Sequence, residues 1–249
     1  MGDLILKSYY KNIFFESLTY DEPRDTILVL EGFPSNGADK KTIGLLHSLG
    51  YNVFWPHYSG TYQSDGIFLR NNPVIELSNF IESMRSGEFL NLWDMSVKKF
   101  GIQKLFLFGG SFSGAICMGL ATLQKFDQVL LFSPVLDYSS HNQDGDEQNL
   151  DDLLPFVKRA YKHIFRIGFD SLTKKMKSFK ECSKDYYLDR INLPITIFHD
   201  PNDHVVSIKH SKNIKRENIQ IIEHSFGHGI NGVIQNEYET VHSILKNEI

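Results

Sequence analysis

Lys104-Leu105-Phe106-Leu107-Phe108-Gly109-Gly110-Ser111-Phe112-Ser113-Gly114-Ala115-Ile116-Cys117-Met118 is the stretch on which the reading of the fold turns. An apolar run of strand length stops at two glycines, and an Ala/Met/Leu pattern of helical character resumes beyond them. From Leu105 to Gln124 the chain carries no charge, which is the length of a membrane span. The interruptions at Gly109, Gly110, Ser111, Ser113 and Gly114 make strand, sharp turn and helix the better reading. A serine held on such a turn has a strained backbone, so the residues two before and two after it must be small, here Gly109 and Ser113. That lifts Ser111 Oγ toward solvent, and the helix that follows points its N-terminal N–H groups at the same place, favouring negative charge there. Ser113, between Ser111 and Ala115, meets the small-residue rule in a second register, but it starts the turn two residues late; Ser111 is preferred.

A hydroxyl on such a turn needs a base, and the base needs a carboxylate to orient it. After the buried-strand pattern Ile195 to His199 comes Asp200-Pro201-Asn202-Asp203-His204-Val205-Val206, at the strand's carboxyl end, where open α/β sheets place ligand-contacting groups. Asp203 is the preferred acid; Asp200, nearer the strand end, is read as an Asx-type turn residue. The preferred base is His228, in Glu223-His224-Ser225-Phe226-Gly227-His228-Gly229, where flanking glycines let the loop approach closely. His224 is equally well read as a surface or strand-edge residue. The order along the chain is Ser111, Asp203, His228.

Around these motifs, short apolar runs alternate with amphipathic ones, the signature of crossover units and an α/β fold: a mainly parallel central sheet with helices on both faces. Ser8 to Thr19 holds one or two early strands, and Thr26 to Leu30 a buried one. Further strands are expected at Asn52 to Trp55, Lys104 to Phe108, Gln128 to Phe132, Ile195 to His199 and Ile219 to Ile222. Helices are expected at Lys40 to Leu49, Val74 to Met84, Leu92 to Phe100 and Ile234 to Leu245. Between Pro134 and Pro194 the connection is too long for a simple crossover and opens with the polar run Ser139 to Asp152. Residues 139–192 are therefore expected to form a helical lid or cap, inserted into a core made of 1–138 and 193–249. Within it, Phe156, Val157, Ala160, Tyr161, Ile164 and Phe165 share one face of an expected helix whose first turn holds Pro155. That face packs on the body, roofs a substrate pocket, or does both.

Composition excludes several classes. With 249 residues, 41% of them hydrophobic and 22% charged, the chain can bury a large core, and disorder is not expected. A formal charge of -4 leaves no basic field for a phosphate backbone, so nucleic acid is not an expected partner. Two separated cysteines, Cys117 and Cys182, indicate neither a disulfide framework nor a zinc ribbon and fit a reducing cytoplasm; Cys117 is expected to face the core. No targeting segment is legible at Met-Gly-Asp-Leu-Ile-Leu. The late histidines lack the spacing of a zinc helix, Asp144-Gly145-Asp146-Glu147-Gln148 lacks the sixth-position glycine of a calcium loop, and no phosphate-cradling loop occurs. Neither metal nor cofactor is expected.

Strand, Gly-x-Ser-x-small, helix, then Asp, then a Gly-His loop resembles the α/β-hydrolase superfamily over nearly the whole chain. Glu31-Gly32-Phe33 resembles its His-Gly-Phe oxyanion turn. Pro56-His57-Tyr58-Ser59-Gly60 with Ser64-Asp65-Gly66 resembles its Tyr-Arg-Gly-x-Gly-x-Ser-x-Gly loop. The departures are Glu31 in place of His, Asp200 where the acid loop often has Gly, and Ser113 for the second elbow Gly. The resemblance implies a Ser111–His228–Asp203 triad and an oxyanion hole made by the backbone N–H groups of Phe33 and Phe112. Side-chain identity at the hole should then matter little, so Phe33→Ala is expected to be mild. The implied activity is a serine hydrolase acting on a small acyl ester or thioester, with a serine peptidase or aminopeptidase, an acyltransferase, or a non-catalytic ligand-binding protein as alternatives.

Overall fold

The computed structural model describes residues 4–139 and 147–248. The strands are β1 (Leu6–Tyr10), β2 (Ile13–Leu18), β3 (Pro23–Leu30), β4 (Asn52–Pro56), β5 (Glu88–Leu90), β6 (Val97–Lys99), β7 (Gly101–Gly110), β8 (Gln128–Phe132), β9 (Ile195–His199) and β10 (Ile219–Glu223). The helices are α1 (Lys40–Ser48), α2 (Pro73–Met84), α3 (Gly114–Leu123), α4 (Leu150–Ala160), α5 (Leu172–Lys177), α6 (Lys184–Tyr187), α7 (Lys209–Lys212) and α8 (Ile230–Lys246). Eight strands form one sheet in the order β1-β2-β4-β3-β7-β8-β9-β10. The β1–β2 and β2–β4 pairs are antiparallel, and every pair from β4 through β10 is parallel.

Successive side chains of a strand face opposite sides of the sheet, and here both sides are covered. Leu28, Leu107, Val129 and Ile197 join one core with Val74 and Leu77 of α2 and Ile116 and Leu120 of α3. Ile27, Phe106, Leu130 and Phe198, their neighbours in sequence, join the other with Ile43 and Leu46 of α1 and Val233 and Val241 of α8. The parallel strands therefore read as continuous apolar runs. Cys117 is buried in the first core and Cys182 is free and buried as well, as the expectation for Cys117 required. Among the described residues no helix is long and apolar enough to cross a membrane, and Leu105 to Gln124 is strand, turn and helix.

Two expectations fail. Leu92 to Phe100 is not helical: β5 and β6 pair as an antiparallel hairpin beside β1, where Ser8 Oγ donates to the Leu90 carbonyl (2.6 Å) and Leu92 N to the Lys7 carbonyl (2.8 Å). Asp94 Oδ1 accepts from Asn91 Nδ2 and from the Ser96 amide and hydroxyl, while Met95 sits at φ +56°; these local bonds outcompete a helical ladder. The expected helix around Phe156 to Phe165 also lies elsewhere. α4 begins at Leu150 under an Asn149 cap, which puts Pro155 in its interior, and it ends at Ala160, so Tyr161, Ile164 and Phe165 do not continue its face. Val157 is buried while Phe156 is exposed. Phe165 and Ile167 instead make β-bridges with Thr61 and Phe68. The calcium-loop reading at Asp144 to Asp146 lies outside the described residues, as do the first three residues of the chain.

Candidate active site

The elbow after β7 is built as the small residues demanded. Ser111 lies at φ +52°, in the left-handed region that non-glycine residues avoid. A Cβ on Gly109 would stand 2.2 Å from Cys117 Sγ, so only glycine lets the strand pass α3. The Ser113 hydroxyl is fully buried and donates to the Gly110 carbonyl at 2.9 Å, whereas Ser111 borders a cleft. Of the two possible registers, Ser111, with 7% of the residue exposed, lines the cleft, and the fully buried Ser113 does not.

Two loops reach the same cleft from other strands. After β9, Asp203 Oδ1 accepts the amides of Val205 (2.8 Å) and Val206 (3.1 Å), and Oδ2 accepts from His228 Nδ1 at 2.7 Å. Burial pushes the Asp203 carboxyl up, but the bond and charge of His228 and the Val206 amide outweigh it and hold the group down at about 2. His228 keeps a quarter of its side chain exposed, on the wall of the cleft that also holds Ser111. Gly227 (φ +75°) and Gly229 (φ +89°) supply the conformations its loop needs. Among the described residues His228 is hydrogen-bonded to Asp203 and not to Ser111.

Asp200 does more than the turn role read from sequence. Oδ1 accepts the Asn202 amide (2.9 Å), the expected Asx bond, while Oδ2 accepts the Gly227 amide (2.9 Å) and so ties the acid loop to the histidine loop. His224 stands apart: its Nδ1 accepts from the Phe226 amide, its ring stacks on Phe226, and burial pushes its imidazole down. Behind Asp203, His199 is fully buried, with one ring nitrogen on Ser211 Oγ (2.7 Å) and the other on the Val206 carbonyl (2.9 Å); burial lowers its pKa.

Facing the elbow, the loop after β3 brings Gly32 so close that a Cβ there would lie 3.3 Å from Ser111 Cβ. Phe33 is buried, stacked on Phe68 (5.4 Å) and edge-on to Phe165 (5.1 Å), and the Phe112 ring completes the cluster. The cleft has a volume of about 470 Å³. Leu150, Leu153 and Val205 line it with apolar side chains, and Asp39, Trp55 and Asn231 line it as well. Those lining residues were not legible in sequence, since strand ends and helix starts far apart in the chain supply them. No group of three or more His, Cys, Asp or Glu side chains suited to a metal ion occurs among the described residues.

Compared by sequence, the chain matches no family profile and no curated protein. Compared by structure, it is similar to an esterase of Pyrococcus furiosus at 15% identity and a TM-score of 0.62, over 98% of this chain and 88% of that one. It is similar to a monoacylglycerol lipase of Paleococcus ferrophilus at 18% identity and a TM-score of 0.56, over 94% and 96%. It is similar to the thioesterase domain of the curacin biosynthetic pathway at 13% identity and a TM-score of 0.62, over 98% and 100%. Likeness at such identities concerns the path of the backbone.

Proposed function

From a chain that has the α/β-hydrolase fold, we propose a serine hydrolase of small acyl esters or thioesters. The observation that carries this reading is the 2.7 Å bond between Asp203 and His228, which lines the same cleft as Ser111, held at positive φ. In the proposed reaction Ser111 Oγ attacks the acyl carbonyl carbon while His228 takes its proton through Nε2. Asp203, ionised and accepting a hydrogen bond from Nδ1–H, keeps the imidazole in the tautomer that leaves Nε2 free and stabilises the imidazolium as it forms. The oxyanion rests on the N–H groups of Phe33 and Phe112; the approach of Gly32 to Ser111 supports the first of these. The imidazolium then protonates the leaving oxygen or sulfur, and water, activated by the same His228, hydrolyses the acyl-enzyme. The chemistry calls on no cofactor. Residues 139–192 act as a lid, supported by Leu150 and Leu153 in the apolar lining, where an acyl chain would lie.

The test is labelling by a fluorophosphonate probe followed by a panel of esters, thioesters and peptides. Wild type should be labelled and Ser111→Ala should not, with kcat lowered in the variant on the order of 10⁶-fold. Folded but unlabelled wild type would favour a ligand-binding protein, and turnover of peptides alone would favour a peptidase.

A further inference from the structure

Behind the loop that carries Gly32 and Phe33 lies a chain of buried ionisable groups that the proposed reaction does not use. His57, after β4, has 2% of its side chain exposed and stands between two glutamates. Its Nε2 is 3.5 Å from Glu16 Oε2 of β2, and its Nδ1 is 3.3 Å from Glu31 Oε1 in the loop after β3. Phe14 stacks on the ring at 5.5 Å and Tyr62 lies across it at 4.5 Å, both favourable to a cation. Lys7 Nζ of β1 sits 3.5 Å from Glu16 Oε1 and ends the series at the surface. The titratable groups facing this histidine are thus Glu16, Glu31 and Tyr62, with Lys7 beyond Glu16. Burial works against the imidazolium, but Glu31 and then Glu16 raise the histidine to about 9.

Glu31 transmits this pairing to the loop. Its second carboxylate oxygen accepts from Ser35 Oγ at 2.5 Å, Tyr62 OH donates to the Ser35 carbonyl at 2.7 Å, and Tyr58 OH donates to the Glu31 carbonyl at 3.1 Å. Residues 31 and 35 are therefore both pinned, and Gly32, Phe33 and Pro34 span the interval between them. A carboxylate with 1% of its side chain exposed is tolerated only when paired. Take the proton from His57 and two carboxylates face a neutral ring in the interior.

We propose that His57, held between the Glu16 and Glu31 carboxylates, is a positioning residue that fixes the Gly32–Phe33 amides relative to Ser111. The role rests on the preceding reading, in which Phe33 N–H receives the oxyanion. It makes the cluster a device for aligning the hole rather than a source of protons for the reaction.

His57→Gln tests this by hydrogen exchange over residues 31–35 together with kcat and KM for p-nitrophenyl butyrate, well below the melting temperature. Exchange should quicken in that loop alone, and kcat should fall about 10- to 100-fold with KM within about twofold, the size expected of a misplaced hole donor. Wild-type kcat should fall on the alkaline side as His57 loses its proton near pH 9, and the variant should lack that limb. The double variant Glu31→Gln/His57→Gln, whose amides can pair without charge, should recover part of the lost kcat; it also carries the comparison if the single variant does not fold. Unchanged exchange and kcat in His57→Gln overturn the proposal, as does a loss of activity matching only a loss of folded protein. A wild-type kcat that stays flat to pH 10 overturns it whatever the variants do. Should wild type resist fluorophosphonate, the hydrolase reading fails separately, and loop exchange alone still decides whether His57 positions the loop.

Discussion

Holding Ser111 at φ +52° costs about 1–3 kcal/mol for a non-glycine residue, a strain that persists only where the surroundings over-determine it. Here they do: Gly109 passes beneath Cys117, and Ser113 is bonded back to Gly110. Phe33 calls for an amendment at this scale. Its proposed part in the reaction is a peptide N–H, so Phe33→Ala should change kcat per folded molecule by less than about tenfold. Yet the ring is buried among Phe68, Phe112 and Phe165, and its removal should lower the free energy of unfolding by about 3–5 kcal/mol. Denaturant unfolding beside kcat corrected for active sites separates the two. A mild effect was the expectation from sequence, and burial of the side chain restricts it to catalysis. The turn at Ser111 and the loops that carry Asp203 and His228 were legible because special backbone conformations leave glycine and turn residues in the sequence. The second carboxylate bond of Asp200 and the burial of His57 left no such mark, since both depend on partners at least 25 residues away.

Among the elements, β8 and β9 were read to the residue and α1 and α2 within one residue of their ends, while α8 was read within one residue at its C-terminal end but four residues late at its start. Those decided by local polar bonds were misread. The segment of the β5–β6 hairpin shares apolar spacing with a helix, and the bonds to Asp94 with the positive φ of Met95 help to turn it. α4 has a rule of its own: Asp151 at its start accepts from the Leu172 and Thr173 amides and from Ser171 Oγ, joining it to α5. Asp151→Ala should leave these donors unpaired and lower stability by about 1–3 kcal/mol. Because Leu150 and Leu153 of α4 border the cleft, the same change should raise KM for p-nitrophenyl esters several-fold and leave kcat within about threefold. Steady-state kinetics beside a denaturant titration check both effects.

For the molecule as a whole, two buried pairs set opposite limits on stability with pH. The Asp203 carboxyl is depressed in the folded state, so its contribution is present above its ordinary value near 4 and is lost as pH falls toward 2. His57 is raised, so its contribution is full below its ordinary value near 6.5 and is lost as pH climbs through 9. Thermal unfolding across pH 2 to 10 should show both declines, the acid one smaller in Asp203→Asn and the alkaline one smaller in His57→Gln, since Glu16 on the acid side and the buried thiols of Cys117 and Cys182 on the alkaline side are shifted as well. On the proposed reading, the cleft lined by Trp55, Leu150, Leu153 and Val205 would bound the substrate. A series of p-nitrophenyl esters should therefore give a sharp optimum in acyl chain length, and Leu153→Ala should move it to longer chains. A flat profile in both proteins would show that the apolar lining does not hold the acyl group.

By itself the sequence determined the layered α/β architecture and the turn that bears Ser111, because hydrophobic period and glycine placement are properties of neighbouring residues. It also singled out Asp203 and His228, each on a turn-rich loop beyond a strand. The strand order, the hairpin in place of a helix, and the cleft were decided only in three dimensions. So was the burial of His57 between Glu16 and Glu31. The reason is physical: a sheet brings together residues that are remote in the chain, and the cost of burying a charge is set by whichever partners that folding supplies.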